Sequence, residues 1–268
     1  MDKEQSLARI ALLTALLIGL PALSGCYEPQ PRPRIIGEDP SAVLAPSQAV
    51  PPRYQVVGRS VQGRPIMIQI LGRGPDTTLI MATIHGNEPA GTPLVERLTS
   101  YLQSHPDLLE GREVVLMPLA NPDGLAANTR ENVHGVDLNR NFRANNRVNN
   151  GTNGLRPLSE PESRAVETVI RQYSPDRIVS IHQPLNCIDY DGPAQALATR
   201  MAQYCDLPVK KLGARPGSLG SFTGEELGIP TVTLELPRSA SNLTDALLWQ
   251  RYGITLVAAV QYPQYVSK

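Results

Sequence analysis

Six short stretches of the chain carry the hydrophobic pattern of strands: residues 54–58, 66–71, 78–84, 114–119, 177–181 and 231–236. Several are nearly continuous apolar runs, which suits a sheet covered on both faces better than one open to water. Between them, residues 91–102, 160–173, 194–204 and 245–260 read as helices. Ser159 followed by Glu162 has the spacing of a capping box for the second of these, and Pro161 is tolerable in a first turn. Strands alternating with helices predict an α/β sandwich with helices on both sides of a central sheet. Ligands in such folds gather at the carboxyl ends of strands. His85, Asn121 and His182 each fall at that end of a predicted strand, so they can converge although far apart in sequence.

The first fifty residues read differently. Residues 1–9 are polar, and residues 10–23 form an uncharged, largely apolar run too short for an ordinary membrane-spanning helix. It ends at Leu23-Ser24-Gly25-Cys26, and length and flanks fit an export signal. The tetrapeptide resembles a bacterial lipobox, in which the cysteine is lipidated and becomes the first mature residue. An uncleaved anchor or an ordinary cleaved signal are the alternatives, and either still implies export. Lipid at Cys26 would hold the protein on the periplasmic side of a membrane without a spanning helix. Residues 27–52 are rich in proline and lack apolar periodicity, which reads as a semi-extended tether. The expected organisation is therefore a signal over 1–25, a lipidated tether over 26–52 and one folded domain over 53–268, a reasonable length for a single core.

Charge and cysteines narrow this picture only slightly. Lysine plus arginine balance aspartate plus glutamate at 25 each, so no overall field would draw nucleic acid or an anionic bilayer. Charge selectivity must be local, and no obligate protein partner is implied. Cys187 and Cys205 remain after Cys26, and both a disulfide and a pair of buried thiols are open.

The candidate chemistry begins at Thr83-Ile84-His85-Gly86-Asn87-Glu88-Pro89, where a histidine and a glutamate stand three apart on a turn after a buried strand. Imidazole and carboxylate can then face one ion, and zinc in a catalytic site takes three such protein ligands and leaves a position for water. A solvated turn would carry the same spacing. His182 ends the apolar strand Val179-Ser180-Ile181 and is a third ligand or a satisfied core histidine. Glu235 interrupts Thr231-Val232-Thr233-Leu234, where a buried carboxylate needs either an arginine or a catalytic task. His105 and His134 sit in polar surroundings and are expected at the surface. Asn121-Pro122-Asp123-Gly124 is a turn signal. Gly135-Val136-Asp137-Leu138-Asn139-Arg140-Asn141, preceded by Arg130, concentrates amides and guanidiniums suited to gripping a carboxylate.

Taken in order, His-x-x-Glu, Asn-Pro-Asp-Gly, Gly-Val-Asp-x-Asn-Arg-Asn, a strand-terminal histidine and a late strand glutamate resemble the zinc metallocarboxypeptidase family from His85 to Glu235. The resemblance implies a three-layer sandwich with a mixed central sheet and one zinc ion per chain. It implies that His85, Glu88 and His182 hold the metal and that Glu235 is the general base and acid. It further implies that Arg130 stabilises the oxyanion, that Asn139 and Arg140 grip a terminal carboxylate, and that Asp137 orients His85. Digestive members carry an arginine between the paired ligands, where this chain has Gly86 and Asn87. The segments His85-Gly86-Asn87-Glu88, Gly217-Ser218-Leu219-Gly220-Ser221-Phe222 and Leu234-Glu235-Leu236-Pro237 are more similar to the murein peptide amidase branch. That branch cuts γ-D-glutamyl-meso-diaminopimelate bonds in cell-wall peptides, which an exported, tethered enzyme would meet directly. Asp189 and Asp191 are candidates for the diaminopimelate amine, with a polar surface turn as the alternative. Rival functions are a C-terminal carboxypeptidase, an N-acyl amino acid amidohydrolase and a lipoprotein that binds muropeptides without cutting them.

Overall fold

A single mixed sheet organises the computed structural model, which describes residues 51–263. The export segment, Cys26 and nearly all of the proline-rich tether lie outside the described residues. In chain order the strands are β1 (Arg53–Arg59), β2 (Pro65–Gly72), β3 (Asp76–Ala82), β4 (Arg112–Met117), β5 (Arg177–His182), β6 (Leu185–Asp191), β7 (Val209–Lys210) and β8 (Thr231–Pro237). They lie side by side as β1-β2-β4-β3-β5-β8-β6-β7. The centre, β4-β3-β5-β8, is parallel; β2 and β6 join it antiparallel, β1 pairs antiparallel with β2, and β7 pairs parallel with β6.

Alternation along the central strands divides the core into two layers. Ile80, Val114, Leu116, Val179, Ile181, Val232 and Leu234 point to one face. There they meet α1 (Gly91–Ser104), α4 (Gln195–Ala202) and the helical run of α5 (Asp245–Leu248) and α6 (Ile254–Val260), joined by a π-helical turn. Leu79, Met81, Val115, Met117 and Ile178 point the other way, onto α3 (Pro161–Tyr173). Each large aliphatic side chain so enclosed contributes roughly 2 kcal/mol. At the far end of the sheet from the strand termini that carry His85 and His182, the buried Arg177 guanidinium bonds Asp76 and donates to Thr78 Oγ1 at 2.7 Å, tying β5 to β3.

Two local expectations fail. Ser159 does not cap α3: Glu160 occupies the capping position without a side-chain bond to the helix, and Ser159 Oγ donates to Glu160 instead. Glu162 is drawn away by tertiary partners, accepting from Val61 N at 3.0 Å and Asn132 Nδ2 at 3.0 Å. The strands β6 and β7 were not expected from the sequence, because Asn186, Asp189 and Asp191 break the apolar signature and β7 is two residues long.

Candidate active site

The turn after β3 is built to project His85. Thr83 sits at φ +51°, a costly conformation for a β-branched residue. It is held by a 2.8 Å contact between its Oγ1 and that of Thr92, and by Asn121 N donating to its carbonyl at 3.0 Å. Gly86 follows, and a Cβ there would lie 1.9 Å from the Gly124 carbonyl carbon, so only glycine lets this turn press against α2 (Pro122–Ala127). Asn121 caps α2, accepting from Gly124 N at 2.9 Å and donating to Ile84 O at 3.3 Å. It thus braces the backbone under His85 and does not line the cleft. The Asn-Pro-Asp-Gly segment is a capped helix start, not an isolated turn.

Three buried side chains meet above this turn. The ligating atoms of His85, Glu88 and His182 all lie within 4.8 Å of one another. Glu88 bridges the imidazoles, its Oε1 3.1 Å from His85 Nδ1 and its Oε2 3.0 Å from His182 Nδ1. His85 Nδ1 is buried and, apart from its 3.1 Å ion pair with Glu88, has no aligned hydrogen-bond partner among the described residues. Its other nitrogen, Nε2, is 2.9 Å from Asp137 Oδ1, which fixes the ring with Nδ1 free to ligate. Burial pushes the Glu88 carboxyl up, but the adjacent His182 and His85 imidazoles outweigh it and hold it well below the usual carboxylate range. Asp137 is likewise held low, burial being outweighed by His85 and then by Arg130 and Arg140. Burial pulls His85 down, but Asp137 and Glu88 more than offset it and its pKa is raised. An orphaned nitrogen, a second imidazole and an ionised carboxylate form the donor set that zinc prefers.

Sheet register supplies the rest of the cleft. His182 pairs with Glu235 across β5 and β8, Ser180 with Thr233, and Asp189 with Thr233 across β8 and β6. Residues two apart on a strand share a face, so Ser180, His182, Thr233, Glu235, Asp189 and Asp191 all turn away from the layer that holds Ile181, Leu234 and Ile188. All six line one cavity of about 500 Å³ together with the metal cluster. Glu235 has no arginine partner among the described residues; its Oε2 accepts from Leu185 N at 3.2 Å. Burial pushes its carboxyl up, with Glu88 adding to the rise, against the opposing pull of His182, Leu185 N and His85.

Arg130 donates from Nη1 to Glu88 at 3.0 Å and from Nε to Asp137 at 3.0 Å, which leaves Nη2 available at the cleft. Asn139 Oδ1 accepts from Leu219 N at 2.8 Å, and Arg140 Nη1 donates to the Asn139 carbonyl at 2.6 Å. Both residues line the cavity, and Asp137 supports them from behind by accepting from Asn139 N at 2.9 Å.

Asp189 and Asp191 lie on β6 inside the cleft, which overturns the surface-turn alternative. Their positions are not equivalent. Asp189 Oδ1 accepts from Tyr190 N and Leu212 N and so pins the loop that follows β7. Asp191 Oδ1 is buried without a partner among the described residues. Burial pushes the Asp191 carboxyl up to about 6, with repulsion from Asp189 and Glu225 adding to the shift and Lys211 opposing it. A Cβ at Gly220 would fall 1.9 Å from Asp191 Oδ2, so the absent side chain at that position makes room for the carboxylate. Arg215, on the pinned loop, reaches the same cavity without a side-chain bond of its own among the described residues. It was invisible in the sequence because Leu212-Gly213-Ala214-Arg215-Pro216 reads only as a turn.

The remaining expectations divide. His134 is largely exposed, 2.7 Å from Glu160. His105 is buried, stacked on Tyr101 with ring centroids 4.0 Å apart and its Nδ1 2.8 Å from the Tyr101 carbonyl, so its polar neighbourhood in sequence misled. Cys187 and Cys205 are both buried, and neither forms a disulfide among the described residues.

A buried His/Glu/His cluster with a glutamate beside it, at the carboxyl end of a mostly parallel central sheet, defines a zinc peptidase site. The chain belongs to the zinc carboxypeptidase family, which residues 47–240 match, and it is a zinc-dependent metallopeptidase. Murein peptide amidase A of Escherichia coli K12 is 34% identical over 213 residues, covering 72% of this chain and 85% of that protein. The crystal structure of the murein-tripeptide amidase from Escherichia coli O157 superposes with a TM-score of 0.67 at 27% identity, over 84% of this chain and all of that one. Carboxypeptidase A from Helicoverpa armigera shares the fold, with a TM-score of 0.68 at 20% identity over 82% of this chain and 70% of its own.

Proposed function

We propose that this protein hydrolyses the amide between γ-D-glutamate and meso-diaminopimelate in cell-wall peptides. The observation that carries this reading is the floor of the cleft, where the unpartnered Asp191 carboxylate and the Arg140 and Arg215 guanidiniums share one cavity with the metal cluster. The leaving diaminopimelate carries carboxylates at both ends and an ammonium at its distal carbon, so its pocket needs cations and an acid together. The relatives named murein peptide amidase point the same way.

His85, Glu88 and His182 would hold zinc, which supplies a Lewis acid for the carbonyl oxygen and lowers the pKa of water. Glu235 takes the proton of the attacking water and returns it to the departing diaminopimelate nitrogen. Its raised pKa brings it closer to the working range of both steps. Arg130, held at Nε and Nη1, presents Nη2 to the oxygen as negative charge develops there. Asn139 and Arg140 orient the carboxylate beside the scissile bond. Water adds across the amide, leaving a γ-carboxylate on D-glutamate and a free amine on diaminopimelate.

The deciding experiment is mass spectrometry of L-alanyl-γ-D-glutamyl-meso-diaminopimelate incubated with the zinc-loaded protein. Release of free diaminopimelate is the expected result. An intact tripeptide beside cleavage of an α-linked peptide or an acylated amino acid would transfer the assignment to a carboxypeptidase or amidohydrolase; binding without cleavage of any substrate would make this a muropeptide-binding protein.

Amine recognition by Asp191 has a pH signature. Below about 6 the carboxyl is neutral and no longer pairs with an ammonium. The KM for the tripeptide should therefore climb as pH falls through that value, and Asp191→Asn should raise KM at neutral pH and flatten the climb. An unchanged KM profile in the variant would remove Asp191 from the amine site.

We further propose that residues 1–25 direct export and that lipid at Cys26 anchors the enzyme at the periplasmic face of a membrane, with residues 26–52 as the tether to the catalytic domain. No helix among the described residues is long and apolar enough to cross a membrane. Mass spectrometry of the mature N-terminus, with and without Cys26→Ser, tests the anchor.

A further inference from the structure

A second compartment, of about 420 Å³, opens from the metal site. It shares Glu88, Arg130, Gln183 and Pro184 with the main cavity and contains none of the residues of the acidic floor. Its own wall includes Asn87, Asn128, Arg238, Ser241 and Asn242. Glu88 is the one carboxylate that lines it, and that group is committed to the imidazoles and Arg130. Arg238 has no ion pair or hydrogen bond among the described residues, and the side-chain amides of Asn87, Asn128 and Asn242 have none either. The compartment therefore gathers a solvent-exposed guanidinium and several exposed amides, none of them paired within the described residues and with no carboxylate beside them except the committed Glu88. A planar guanidinium flanked by amides is the chemistry that receives a carboxylate.

Which carboxylate follows from the substrate, so the inference rests on the reading proposed above. The amine side of the scissile bond is claimed by Asn139, Arg140 and Asp191, which leaves this compartment to the acyl side. An acyl residue joined through its α-carbonyl has no free main-chain carboxylate. A γ-linked D-glutamyl residue does: its α-carboxylate stands beyond the carbonyl, separated from it by three saturated carbons. We propose that Arg238 and the surrounding amides bind this α-carboxylate, and that Arg238 is the positioning residue by which the enzyme selects acyl groups bearing a carboxylate three saturated carbons beyond the scissile carbonyl, as γ-D-glutamyl does. Arg130 is not assigned to this end, since its Nε and Nη1 are engaged by Asp137 and Glu88 and the role proposed above gives Nη2 to the scissile carbonyl.

The test compares two peptides, L-alanyl-γ-D-glutamyl-meso-diaminopimelate and the same peptide with the glutamyl α-carboxylate converted to a carboxamide. Binding is measured by calorimetry on full-length, zinc-loaded Glu235→Gln protein, so that the result does not depend on turnover. The carboxylate peptide should bind more tightly, and adding Arg238→Gln should weaken it by about tenfold to a hundredfold while leaving the carboxamide peptide unchanged. Arg238→Lys should recover part of the loss. Equal weakening of both peptides, or none, overturns the assignment. Cleavage by the parent protein is scored separately: failure to cut either peptide counts against the proposed activity, while the difference in binding still decides the role of Arg238.

Discussion

Glu235→Gln is expected to lower kcat about a thousandfold, within the range that removing a general acid and base costs, while zinc content stays that of the parent. The substitution is close to isosteric, and Leu185 N, the one donor that Glu235 Oε2 accepts from, can still reach an amide oxygen. Among the described residues no arginine is left unpaired by the change, because none of them pairs with Glu235. Losses in fold or in metal therefore should not contribute, and circular dichroism together with zinc analysis would verify this. In the parent, the acid limb of kcat/KM should lie above the ordinary glutamate value of about 4.3, since burial raises the Glu235 pKa and activity falls once that carboxylate is protonated. Near-parental turnover by the pure variant would remove Glu235 from the chemistry.

The second large effect concerns the metal cluster. His182→Ala deletes one of the three converging ligands and leaves the buried Glu88 carboxylate with one imidazole, Arg130 and the Gln183 backbone N–H. Zinc affinity should fall by more than the roughly 10–100-fold that loss of an outer partner costs, and hydrolysis should fall to background. Asp137→Asn should show that smaller loss, since Asp137 acts on the metal only by orienting His85. Thermal unfolding offers an independent readout. A ligand bound only to the native state stabilises it by about 2.7 kcal/mol at a hundred times its Kd, so added zinc should raise the Tm of the parent, raise that of Asp137→Asn less, and leave His182→Ala almost unmoved. A full zinc-induced shift in His182→Ala would mean that the metal binds elsewhere.

The fold and the metal cluster were legible in the sequence to an uneven degree. The parallel core strands announced themselves because burial on both faces leaves long apolar runs, as in Val114-Val115-Leu116-Met117. His85, Glu88 and His182 stood at the ends of such runs, where a polar residue has few structural reasons to be. Strand β6 stayed hidden because one of its faces lines a polar cleft, so the alternation that defines it is carried by Cys187, Asp189 and Asp191 as well as by Ile188. The false capping box at Ser159 and Glu162 shows the limit of local rules, since Val61 and Asn132, far away in sequence, captured Glu162. Arg215 and Arg238 have no local signature at all. Arg215 lies in an irregular segment and Arg238 opens a short 3₁₀ helix (Arg238–Asn242); the position of each is set by tertiary bonds, Leu212 N to Asp189 in one case and Gln183 to Pro237 O and Ser241 Oγ in the other.

The strict division of labour between odd and even positions on β6 and β8 has an evolutionary corollary. Ile188, Val232 and Leu234 carry the packing, while their immediate neighbours Asp189, Thr233 and Glu235 face the cleft. A mutation at a cleft-facing position such as Thr233 or Asp191 can alter what is recognised without disturbing the aliphatic layer beneath. A lineage could therefore drift from one amide substrate to another by point changes on one side of two strands, whereas inserting a single residue in β8 upstream of Glu235 would turn that carboxylate into the hydrophobic layer and end both activity and folding.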